Sequence, residues 1–158
     1  MSNYFLNDSR FVNQGLEETS TTLNAKIGDV VRVNHPTYGI IDVVYLYGVA
    51  SLAANDAVTY NASTGATTRL VAGGTGPVAI SLAANTSTSA ASWFAIRGKL
   101  LCNTAGTVAA GARVYATATA GSVDDAVNAG DELFGAFFAT AVTGAGTCVV
   151  HLQDPYIF

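Results

Sequence analysis

Charge is scarce in this chain. Lys and Arg number 7 and Asp and Glu 11 in 158 residues, so charged residues make up 11% of the sequence, against roughly 25% in an average soluble domain. The basic residues stand singly from Arg10 to Arg113 and the formal charge is −4. This excludes the clustered Lys/Arg surface on which nucleic-acid binding depends. Cysteine is limited to Cys102 and Cys148, too few for a disulfide framework, and a chain of this length can bury a core without one. With His35 and His151 these cysteines form no zinc-binding spacing. The longest apolar run, Ile40 to Ala50, is broken by Asp42 and falls far short of the ~20 residues that span a bilayer. The opening Met1-Ser-Asn-Tyr-Phe-Leu-Asn-Asp8 has neither the basic region nor the apolar stretch of a secretory leader. The sequence therefore predicts synthesis in the cytoplasm, reduced and buried cysteines, no membrane partner, and no use of the acceptor triplets at Asn7, Asn61 and Asn85.

What the chain has in abundance is Ala, Thr, Gly and Val. Alanine alone would favour helix, but here it alternates with Thr, Val and Gly and has almost no Lys or Glu beside it, so helical periodicity fails. From residue 25 onward apolar and polar residues alternate between Gly, Asn and Asp punctuation, the pattern of short strands and turns. Strands are predicted at 29–34, 40–47, 57–61, 78–83, 92–97, 99–103, 112–117, 133–142 and 147–153. One short helix is predicted after Ser122, with Asp125 three residues on and Gly130 ending it. Residues 1–25 read as an extended polar arm with isolated aromatics, and residues 26–158 as a single β domain. The strand 40–47 is apolar on both faces, which requires either a central place in a closed barrel or cover by a neighbouring subunit.

The β texture recurs. The segment from Gly48 to Gly65 is echoed from Gly98 to Gly121, with Tyr60 matched by Tyr115. Gly76-Pro-Val-Ala-Ile80 is answered by Gly135-Ala-Phe-Phe-Ala139, and Ser92-Trp-Phe-Ala-Ile-Arg97 by Thr147-Cys-Val-Val-His-Leu152. These matches predict two units at about 44–97 and 94–152, built into a compact β-barrel or sandwich. Trp93, Phe94, Phe134, Phe137 and Phe138 are predicted to face its interior.

No motif supplies chemistry. Gly74-Thr-Gly76-Pro-Val-Ala79 fits a degenerate dinucleotide fingerprint, but Pro77 and the apolar run after it continue as a strand, whereas the fingerprint needs a helix. Asp124, Asp125, Asp131 and Glu132 form the densest carboxylate group and lack calcium-loop spacing. Cys148 and His151 are three apart on a strand and so point to opposite faces. The sequence predicts no enzyme activity, no metal and no cofactor.

The polar arm, the Gly28-Asp-Val-Val31 turn and strand, the repeated Ala/Thr/Gly-rich β-units and the Gly-x-Ala-type segment before the final strands together resemble the head decoration, or capsid cement, proteins of tailed bacteriophages. The resemblance spans roughly residues 25–153. It implies a structural virion protein that binds the outside of an assembled capsid. Its partners would be the major capsid protein and further copies of itself, with a trimer favoured. Family members often reach the capsid with a terminal arm, which here would use Tyr4, Phe5 and Phe11. Deleting residues 2–20 is then expected to spare folding and abolish particle binding. Ile41, Tyr45 and Tyr47 on the two-sided strand, and Tyr156 and Phe158 at the apolar chain end, are the other candidate interface residues. The alternative is a receptor- or carbohydrate-binding module of a phage head or tail fibre, which would present exposed aromatics beside Asn or Asp on loops.

Overall fold

Period-two burial sets the first strands. In the computed structural model, which describes residues 14–158, Val31, Val33 and His35 point inward from β1 (Val30–His35) while Val30, Arg32 and Asn34 point out. Gly39 turns the chain with φ +74° into β2 (Gly39–Tyr47), and the two strands pair antiparallel from Val30↔Val44 to His35↔Gly39. The remaining elements are β3 (Ala57–Tyr60), β4 (Thr67–Arg69), β5 (Gly76–Ser81), β6 (Ala91–Thr104), β7 (Arg113–Ala116), β8 (Val123–Asp124), β9 (Glu132–Phe138) and β10 (Gly146–Ile157). The protein is all-β, and the ten strands form one sheet in the order β1-β2-β6-β8-β7-β9-β10-β5-β3-β4.

Further pairings of β6 close this sheet on itself. β6 pairs with β10 from Arg97 to Thr104 and meets β8 in parallel at Thr104↔Val123. The path β6-β8-β7-β9-β10 therefore returns to β6 and makes a closed barrel. β5 wedges between β6 and the end of β10, pairing Ile80↔Ala95 on one side and Gly76↔Ile157 on the other. Pairing order recurs along the chain: β3 binds β4 and β5, and β5 binds β6, as β7 binds β8 and β9, and β9 binds β10. Gly48–Asp56, however, is loop and turn, where the matched segment from Gly98 is strand.

Two apolar clusters fill the molecule. The larger one runs through the barrel and includes Val33, Ile41, Val43, Tyr45, Trp93, Leu100, Phe138 and Leu152. The smaller one, Val44, Leu46, Leu52, Val58, Ala79, Phe94 and Ile96, lies on the opposite face of β2, β3, β5 and β6. This second cluster covers the outer face of the two-sided strand at Val44 and Leu46, while Ile40 at its start stays exposed. Ile41 and Tyr45 are 1% and 0% exposed, so neither is an interface residue, a correction to the sequence reading. Tyr47 is half-buried and packs on the larger cluster.

Other expectations are also revised. No described residue is helical; the 122–130 segment gives β8 and turns. Ala116 N, on β7, donates to Asp131 O, and β7 engages Asp124 of β8, so the segment is tied to β7 by backbone bonds that a helix would have withdrawn. The separate strands expected at 92–97 and 99–103 are one strand that passes through Gly98. Leu16 is 1% exposed in the larger cluster. Gln14 donates from Nε2 to Ala91 O and Glu18 O, both at 2.9 Å, and accepts from the Tyr45 hydroxyl. Gln14 and Leu16 thus belong to the core, and a deletion of 2–20 would remove part of it.

Candidate docking surface

A bulge decides which aromatics reach the surface. Gly135 takes φ +82°, and a Cβ there would lie 2.5 Å from Gln153 O. The β9–β10 register shifts between Leu152 and Tyr156. Between these two residues β10 advances four positions to two of β9, and the inward alternation of β9 slips at Gly135: Leu133, Ala136 and Phe138 point inward while Phe134 and Phe137 point outward, 49% and 43% exposed. The expectation that all five aromatics face the barrel interior therefore holds for Trp93 and Phe138 only; Phe94 is buried in the smaller cluster on the opposite face.

On the outside Phe134 stands opposite Tyr156 and Phe137 opposite His151. Phe158, 75% exposed, meets Phe134 edge-on at 5.3 Å between ring centroids and Tyr156 at 4.8 Å. Phe137 and His151 meet edge-on at 4.9 Å. Val127, almost fully exposed, edges the 190 Å³ groove that Phe134 and Phe158 line with Tyr115. These rings form two groups on the same pair of strands, Phe134 with Tyr156 and Phe158, and Phe137 with His151, an exposed aromatic surface of the kind that marks an interaction site. The polar groups around it are already engaged. Asn128 Nδ2 bonds Asp131, and Arg113 Nη1 bonds Glu132 at 2.8 Å.

Of the predicted interface residues, the structure brings Tyr156 and Phe158 to this face, leaves Ile41, Tyr45 and Tyr47 away from it, and Tyr4, Phe5 and Phe11 lie outside the described residues. Sequence reasoning missed Phe134, Phe137 and Val127. The signal was Gly135 directly after Phe134, a glycine inside a strand pattern and so a bulge marker.

The residues weighed for chemistry serve the fold. Asp124 Oδ1 accepts from Asp125 N, Asp125 Oδ2 from Ala109 N at 2.8 Å, and Asp131 Oδ1 from Gly73 N at 2.6 Å. Buried Asp56 accepts from Arg69 Nε, Asn103 Nδ2 and Ala53 N, tying the β3–β4 hairpin to β6. His35 Nδ1 accepts from Thr37 N and Tyr38 N, closing the β1–β2 turn. Cys102 and Cys148 are free, buried and directly opposed in the β6–β10 register. Burial, with Asp56 and Cys148 nearby, pushes the Cys102 thiol far up, away from the reactive thiolate. Among the described residues no group of three or more His, Cys, Asp or Glu is placed to hold a metal ion.

A cleft with a charged lining lies elsewhere. Arg32, Asp42 and Arg97 stand in register across β1, β2 and β6 and line a cleft of 540 Å³ with Ile40, Gly98, His151, Gln153 and Asp154. The Arg32 guanidinium, hydrogen-bonded to Asp42 and seconded by Arg97, holds the Asp42 carboxyl below the usual carboxylate range against the opposing effect of burial. Comparison with family models, with curated proteins and with solved structures finds no match for this chain.

Proposed function

We propose that the protein is a structural virion component that binds the outer surface of an assembled tailed-phage capsid and stabilises it, with the major capsid protein and further copies of itself as partners. The observation that carries this reading is the aromatic face of Phe134, Phe137, Tyr156 and Phe158, held on paired strands at the end of the chain. Such a face suits docking more than ligand capture, because it is broad and its neighbouring polar groups are spent on internal bonds. The sparse charge supports the same reading: a decoration protein repeated over a lattice gains strength from many weak contacts and needs shape and apolar complementarity more than a catalytic constellation. Trimeric association and a capsid contact through Tyr4, Phe5 and Phe11 are parts of the proposal that derive from the family resemblance.

The test is co-sedimentation of the purified protein with undecorated phage heads, with tails and host envelopes as parallel samples. Saturable binding to heads is the expected result. Binding to envelopes or free glycans alone would move the protein to the receptor-binding class.

A further inference from the structure

Four strands contribute to one charged row on the outer surface. Arg32 faces Asp42, Asp42 faces Arg97, and Arg97 faces Gln153. Asp42 accepts Arg32 Nε at 2.8 Å, Arg32 Nη2 at 3.1 Å and Arg97 Nη1 at 3.1 Å, while Arg97 Nη2 reaches on to Asp154. Asp154 holds φ +49°, a left-handed conformation uncommon outside glycine, at the bulge of β10. Strained residues of this kind cluster at ligand-contacting sites.

We propose that the cleft bounded by this row binds a neutral saccharide. Its 540 Å³ falls within the roughly 300–1,000 Å³ of small-ligand sites. Two cations, Arg32 and Arg97, face two carboxylates, Asp42 and Asp154, so the row has no net preference for an anion or a cation. Its internal bonds leave N–H groups on Arg32 Nη1 and Arg97 Nε, one oxygen of Asp154 and the amide of Gln153 for a ligand. Donors and acceptors alternate there at short range, which matches a hydroxyl group, itself both donor and acceptor. Ile40, 60% exposed at the wall, offers an aliphatic surface to the C–H face of a sugar ring. The row is assembled before any ligand arrives, so little side-chain freedom is lost on binding.

Saturation-transfer NMR and calorimetry with glucose-, galactose- and mannose-based mono- to trisaccharides test this, with inorganic phosphate and a sulfated disaccharide in parallel. At least one neutral sugar should bind saturably, with a Kd of about 1 mM or tighter. Asp154→Asn keeps a residue that tolerates the left-handed backbone and removes the charged acceptor; it should weaken binding about tenfold. Gln153→Ala, at an exposed position, should weaken it by a smaller factor, and both variants should melt as the parent does. Absence of transfer to every neutral sugar, binding of the anions alone, or undiminished affinity in both variants would overturn the assignment.

Discussion

At Gly98 the long central strand passes β2 so closely that a Cβ would sit 2.7 Å from Ile41 Cγ2 and 3.0 Å from Ile40 O, with φ at +110°. Gly98→Ala adds both a strained backbone and a clash with a neighbouring strand, so it should lower the unfolding free energy by about 2 kcal/mol or more in urea titration. Asp56 is 2% exposed and bonds Arg69 Nε at 2.8 Å. Asp56→Ala removes one acceptor from each of Arg69 and Asn103, which keep Ala120 O and Ala54 O, a loss of about 2 kcal/mol by the same measurement. Asp42 supplies a pH dependence. Its folded pKa lies below the unfolded value of 3.8, so its stabilisation is fully present above that value and is lost as pH falls through the folded pKa. Acid titration of stability should show this limb in the parent and a shallower one in Asp42→Asn. None of these partnerships was legible in the sequence, because each joins residues many positions apart. Asp42 itself was visible as the interruption of an apolar strand, without any sign that two arginines would converge on it.

Among the elements, strands with clear alternation were read well. β1, β2 and β3 fall within a residue or so of the 29–34, 40–47 and 57–61 expectation. The short strands β4 and β8 escaped because three and two residues carry no period. The helix after Ser122 failed because its expected capping residues serve turns instead: Ser122 N donates to Thr119 O and Asp125 Oδ2 accepts from Ala109 N. The aromatic face was half legible. The apolar chain end identified Tyr156 and Phe158; Phe137 faces outward because its neighbour Phe138 faces inward, as period two requires, and only Phe134 departs from that alternation, at Gly135. Exposed rings contribute little to the core, so Phe134→Ser and Phe158→Ser should each change stability by no more than about 0.5 kcal/mol. Leu16→Ala, in contrast, empties a fully buried site and should cost about 2–5 kcal/mol. Deletion of residues 2–20, which removes Leu16 and Gln14, should accordingly lower the melting transition.

For the molecule as a whole, composition and alternation were enough to establish an all-β chain. They did not reveal that β6 acts as the common spine, pairing with β2, β5, β8 and β10 along its length. That arrangement lets one chain bury both faces of its most apolar strand from Ile41 to Leu46. It also confines the large exposed apolar residues of the chain's last third to the β9–β10 end and the loop before it. The central claim is that this end docks on a capsid. Binding isotherms on undecorated heads, comparing the parent with the Phe134→Ser/Phe158→Ser double variant, test it most directly. Saturable binding by the parent and a loss of at least ~100-fold in affinity for the variant are expected, since clustered aromatic anchors dominate such interfaces. Equal binding by a variant that melts like the parent, or no binding by the parent, would contradict it.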